Sequence, residues 1–237
     1  MLFNTHSRSL RSAAVALVLL GIFSHSLLAQ SSRSPPAKAR LSAALVKQSG
    51  KGLCGPACIE MILRYWNVTK FDQHDIATAI LHRYPNLERV KRSGILESWK
   101  IDWSKYSGTG TKTMCEFLKV FAATENPKLR ALPSDPREAT KQRQKSFDMV
   151  KQYAADGVPV VVHQYWTGPG TRGQYRVVRG YDDKRRVVLL NDPRTGAMQQ
   201  SYSEFLTLWD VDEPWLHCNA IVFNTDKRKL RLSSLEP

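Results

Sequence analysis

A chain of 237 residues, 42% hydrophobic and 24% charged with 13 glycines and 12 prolines, has a globular composition, which excludes a fibrous, collagenous or wholly disordered protein. Its 35 lysines and arginines against 21 acids leave a net charge of +14. That excess favours anionic surroundings such as cell-wall polymer, phospholipid headgroups or nucleic acid, and by itself selects none of them.

Arg8 and Arg11 precede an apolar run from Ala13 to Phe23 and then Leu27-Leu28-Ala29, the pattern of a secretory signal cleaved after Ala29. The run is about 11 residues, short of the ~20 a membrane-spanning helix needs. An exported, secreted or periplasmic protein is expected, and no later stretch is apolar enough to span a bilayer. The removed piece holds two arginines and no acid, so the mature chain stays strongly basic. Residues 30–40 are Ser, Pro, Ala and basic residues without an apolar period and read as a flexible leader. A single domain is expected over 41–225, followed by a basic tail over 226–237.

Within the domain, Pro56 stands where a helix would begin, and Ile59, Ile62, Leu63 and Trp66 recur at helical spacing, predicting a buried helix from Gly55 to Trp66. A second helix follows Asp72, a natural cap, with Ile76, Ala77, Ile80 and Leu81 on one face. Asn86 to Gly110, with Trp99, Trp103 and Tyr106, reads as a long partly ordered loop. A third helix is expected over Thr111–Ala123, and a polar surface helix over Pro136–Asp156 with a stop at Gly157. Strands are then expected over Val158–Tyr165, Tyr175–Gly180 and Arg186–Leu190, with Gly168-Pro169-Gly170 as a turn. A short helix at Ser203–Trp209 and a strand at Leu216–Asn224 finish the chain. Helices first and strands second is the order of an α+β protein, a helical half packed on an antiparallel sheet.

Four cysteines, Cys54, Cys58, Cys115 and Cys218, enter an oxidising compartment, where two disulfides, one disulfide or buried free thiols are all open. Cys54 lies at a helix N-terminus, where unpaired amides and the dipole lower a thiol's pKa and make it a nucleophile. Gln48, six residues upstream, can aim its amide with the Cys54 N–H at a developing oxyanion. Gly55 allows close approach of a substrate. The bland reading is a core cysteine and a surface amide. Cys54 and Cys58 stand four apart without a histidine pair, so neither a metal site nor a cofactor is expected. Asn67-Val68-Thr69 fits a glycosylation pattern that matters only in a eukaryotic secretory route. Lys184-Arg185-Arg186 and the tail read as solvated faces open to an anionic surface.

The segment Gln48-Ser49-Gly50-Lys51-Gly52-Leu53-Cys54-Gly55-Pro56-Ala57-Cys58, running into Ile62-Leu63-Arg64-Tyr65-Trp66, resembles the nucleophile region of the papain-like peptidases that cleave double-glycine leaders from bacteriocins. Gly173-Gln174-Tyr175-Arg176-Val177-Val178-Arg179-Gly180-Tyr181, with Asn191-Asp192-Pro193 after it, is similar to that family's second half. The resemblance implies a papain-like fold, a peptide or protein substrate, Cys54 as nucleophile, Gln48 in the oxyanion hole and Asp192 as the acid that orients an imidazole. One position departs from the pattern. Gln174 stands where the family has its histidine, and an amide neither takes nor gives a proton near neutral pH. Peptide hydrolysis is then expected to fall by orders of magnitude.

Four histidines remain as substitutes in the mature chain. A hairpin closing symmetrically about Gly170 places His163 opposite Val177 and Gln174 opposite Trp166, on opposite faces and about 10 Å apart along the sheet. His163 is the alternative base on this reading. His217 precedes Cys218 on the last strand, and His74 and His82 belong to a surface helix in solvent. Three functions are therefore carried forward: a peptidase working through the Cys54 thiolate, a silent relative that keeps a peptide groove, and a basic envelope protein binding anionic polymer. Oligomeric state is not written in the sequence.

Overall fold

The computed structural model describes residues 35–82, 101–119, 123–125, 133–212 and 217–224. The expected export segment, residues 86–100 of the expected loop, Leu216 and the expected basic tail lie outside them. Seven strands and five α-helices make up the described residues. In chain order they are β1 (Lys38–Arg40), α1 (Cys54–Tyr65), α2 (Gln73–Leu81), α3 (Thr111–Leu118), β2 (Ala123–Glu125), α4 (Pro136–Ala155), β3 (Val160–Tyr165), β4 (Gly173–Asp182), β5 (Val187–Asp192), β6 (Gly196–Ser201), α5 (Tyr202–Trp209) and β7 (Ala220–Asn224). A single 3₁₀ turn at Trp103–Lys105 interrupts the loop before α3. No described helix is long and apolar enough to cross a membrane.

Every strand pairing is antiparallel, in the order β2-β7-β3-β4-β5-β6, with β1 paired to the end of β4. The expected α+β class is the architecture observed. Alternation along the strands splits the core in two. Val161, Tyr175, Val177, Ile221 and Phe223 pack on one face with α1, α2 and α3. Val160, Val162, Val178, Val188, Leu190 and Val222 pack on the other with α4 and α5.

The helices begin where their residues predict. Asp72 accepts from the backbone N–H groups of His74 and Asp75 at 2.8 and 2.9 Å, and Asp75 accepts in return from Asp72, a reciprocal cap on α2. Asp135 and Ser201 cap α4 and α5. Helix α1 has no capping side chain, and its start belongs to the site described below.

Three departures have physical causes. Lys38–Arg40, expected in a flexible leader, form a strand on Asp182–Gly180 because β3 has already left that edge of β4 and its backbone groups need a partner. Gly180 is obligatory at this seam: its φ is +152° and an added Cβ would lie 2.2 Å from the Ala39 carbonyl oxygen. The third helix stops at Leu118, short of Ala123, which opens β2. Gly196–Ser201 form a strand absent from the expectation, since neither β-branched nor aromatic residues mark it and pairing with β5 alone dictates it.

Candidate active site

The site lies where the sheet splits. Strands β4 and β5 are paired from Val177 and Asn191 onward through Asp182 and Val187. Ahead of that point β4 runs on toward Gly173 paired with β3 but no longer with β5, and the start of α1 lies beside it. The backbone N–H groups of Tyr175 and Gly55 both point to the Cys54 sulfur. The loop feeding α1 is held by the Gln48 N–H on the Pro193 carbonyl at 2.8 Å and by Gly52, whose φ of +81° and contact with Tyr106 admit no side chain. Tyr106 in turn shares a short hydrogen bond with Thr109.

Cys54 is half-buried, and burial pushes its thiol above the ordinary range despite the two amides and the nearby Arg172 charge, which pull the other way. The expected thiolate at the helix end is thus corrected: loss of water around the sulfur outweighs the dipole. Cys58, one turn on, is pushed higher still by full burial. All four cysteines are free thiols.

Gln174 is buried with its amide between two partners. Its Nε2 donates to Gln48 Oε1 and to Asp192 Oδ1, each at 3.2 Å. Gln48 spends its own Nε2 on the Gly50 carbonyl at 2.8 Å. Gln48, Gln174 and Asp192 are thus joined by hydrogen bonds, with Asp192 near enough for its charge to act on the Cys54 sulfur.

One residue of this site was not singled out in the sequence. Arg176, 2% exposed, donates from Nε to Asp192 Oδ2 at 2.7 Å, with Asp192 itself fully buried. Its remaining donors reach Gln164 Oε1 at 2.9 Å and the carbonyls of Tyr165 and Trp166 at 3.1 and 2.8 Å. Asp192 Oδ1 also accepts the N–H groups of Arg194 and Thr195 at 2.7 and 3.2 Å. The signal was available: an arginine within an otherwise apolar strand must meet an acid if it is buried, and Asp192 lies in the next strand.

The histidines stand elsewhere. The β3–β4 hairpin pairs His163 with Tyr175 and Gln164 with Gln174, two residues out of the expected register, because the turn closes through Trp166 and Arg172. His163 still faces away from Gln174, but one pair along instead of three. Its ring lies 4.7 Å from the Tyr175 ring and fills the space beside Gly173, and its Nδ1 is buried without a hydrogen-bond partner. Burial, with Arg176 adding to it, lowers its pKa to about 4. His74, expected in solvent, is partly exposed: its Nε2 lies 2.8 Å from Ser49 Oγ, and its ring packs on Trp103. His217 precedes β7 and contacts Asp210 at 3.1 Å. His82 is the C-terminal cap of α2.

The sequence profile of the Peptidase_C39 like family matches residues 40–215. The chain belongs to that family. Among solved structures, a double-glycine motif protease from an AMS/PCAT transporter, determined with its leader peptide, is 14% identical, covers 79% of this chain and 95% of its own, and superposes with a TM-score of 0.43. A C39-like peptidase candidate from Bacillus anthracis is also 14% identical, with 79% and 97% covered and a TM-score of 0.49. The peptidase domain of Streptococcus ComA, a bifunctional ABC transporter of a quorum-sensing pathway, is 17% identical, with 76% and 96% covered and a TM-score of 0.41. No curated protein matches the chain. Within the C39-like family, the four residues at the split of this sheet occupy the segments by which the sequence resembled it.

Proposed function

We propose that this C39-like protein binds a peptide in the cleft beside Cys54 without cleaving it. The observation that carries this reading is the Gln174 amide, lodged between Gln48 and Asp192 where the family's histidine is expected. Hydrolysis by a thiol needs a base to make the thiolate and an acid to protonate the leaving amine. Gln174 supplies neither. Asp192 is already neutralised by Arg176 and has no imidazolium to stabilise. His163 lies on the other face of the strand, and with its pKa lowered to about 4 it is a poor base at neutral pH. The sulfur itself is held as a thiol by burial.

What supports retained binding is the backbone around the split: a helix start without a capping side chain and an ordered, glycine-shaped loop leading to it. The protein works outside the cytoplasm on this reading, following the export signal at its N-terminus. The test is a labelled double-glycine leader peptide incubated with the chain, with binding and cleavage followed together. Binding without turnover is expected, equally for Cys54→Ala; cleavage abolished by Cys54→Ala overturns the proposal and restores the thiol peptidase.

A further inference from the structure

The surface around Cys54 carries positive charge. Lys47 and Lys51 flank Gln48, Arg172 lies close enough to act on the Cys54 sulfur, and Arg194 follows Asp192; all four side chains are exposed. Of the described acids, Asp182 pairs with Lys38, Asp183 with Lys151 and Asp210 with Arg143. Among the described residues none pairs with these four cations. Asp192, the acid of the site itself, is buried and already matched by Arg176.

One of the four side chains is held in place, and a second is anchored at its backbone. The Arg194 guanidinium stacks on the Trp166 ring at 4.0 Å, and its N–H is fixed on the same Asp192 oxygen that accepts the Gln174 amide. Arg172 is tied to the same tryptophan through its carbonyl, which accepts the Trp166 N–H at 3.0 Å. An arginine held by stacking loses less freedom on meeting a carboxylate than a free lysine does, and its fork matches the carboxylate's two oxygens. The dipole at the start of α1 adds to the same field.

We infer that the peptide this cleft accepts is acidic, its carboxylates met by Arg172 and Arg194. This rests on the peptide-binding reading above and names the class of peptide. The test uses two fluorescein-labelled peptides identical except for glutamate or glutamine at alternate positions, titrated with the full chain by anisotropy in low salt. The glutamate peptide is expected to bind about tenfold more tightly, the preference shrinking as salt approaches ~0.1 M and beyond. Arg172→Gln with Arg194→Gln is expected to remove the preference, while neutralising Lys184, Arg185 and Arg186 together leaves it intact. Equal binding of both peptides overturns the inference and spares the peptide reading. Failure of both peptides to bind overturns the reading itself. A thymidine oligonucleotide held as tightly as the glutamate peptide, with the same dependence on the two arginines, overturns the inference in favour of a polyanion site.

Discussion

Gln174 hydrogen-bonds to Asp192 much as a neutral imidazole would, yet it has no proton affinity near neutral pH, and the consequences extend to the residue two places on. Because Arg176 already balances Asp192, an imidazolium introduced at 174 would sit beside a cation with its acid satisfied. Gln174→His alone is therefore expected to change the neutral-pH alkylation rate of Cys54 by less than about threefold, while Gln174→His with Arg176→Met raises it by about tenfold, one pKa unit of added thiolate. Iodoacetamide kinetics read by peptide mass spectrometry check this; a full effect from the single variant removes Arg176 from the account. His163 gives a second outcome at this scale. Its folded-state pKa, about 4, lies below the 6.5 of a free histidine, so below pH 6.5 the unfolded chain binds the proton and the folded one refuses it. Stability is then complete above about pH 6.5 and is lost down to about pH 4, by about 3 kcal/mol if this group acts alone. His163→Gln should flatten that part of the pH–stability curve measured by urea unfolding. Gln48, Cys54, Gln174 and Asp192 were legible in the sequence because motif and order mark them. The direction of the Cys54 shift was not, since helix position is visible in a sequence and burial is not.

Glu60 shows the same balance between elements. It lies on α1 with its side chain 2% exposed, accepts the Gln73 N–H at the start of α2 at 2.8 Å, and pairs with Arg64 at 2.5 Å. Gln73 then bonds Ser49 and the Lys47 carbonyl, linking α2 to the loop that carries Gln48. Glu60→Ala leaves a helix-start amide unpaired, at a cost of about 1–3 kcal/mol, and Glu60→Gln, which keeps an acceptor, should lose less. Thermal melting of the two variants checks the order. All five helices were legible, because each carries either an apolar period or a cap. The register of the β3–β4 hairpin was not: glycines allow several closures of the turn, and the Thr171 N–H on Gly168 selects one of them. Strand β6 was hidden for another reason, as Gly196 to Ser201 gain extended structure from a neighbour and not from their own preferences.

Across the whole molecule, a buried polar cluster ties together the same strands, β3 to β6, and helix α5 that share one hydrophobic core. Arg176 binds Asp192 of β5 and Gln164 of β3, and Gln164 continues to Gln200 of β6 and the Phe205 carbonyl of α5 at 3.1 Å each. An acid that merely oriented a catalytic group would be dispensable for folding. Here Asp192→Ala strands a buried guanidinium, and a loss of about 3–5 kcal/mol is expected, recovered in part by adding Arg176→Met. Chemical denaturation of the single and double variants measures it, and an unchanged midpoint for Asp192→Ala refutes the linkage. The α+β architecture was legible from the order of elements, but this cluster was not, since it depends on which strands become neighbours.

The close fit between Ala39 and Gly180 reaches beyond packing. A chain that starts at Pro36 keeps the arm Lys38–Arg40 paired with the sheet. Cutting just past Arg40 instead uncovers a ladder of bare amides and carbonyls along Gly180–Asp182, an adhesive rim that invites self-association. A chain beginning after Arg40 is therefore expected to aggregate more readily than one beginning at Pro36, as light scattering would read.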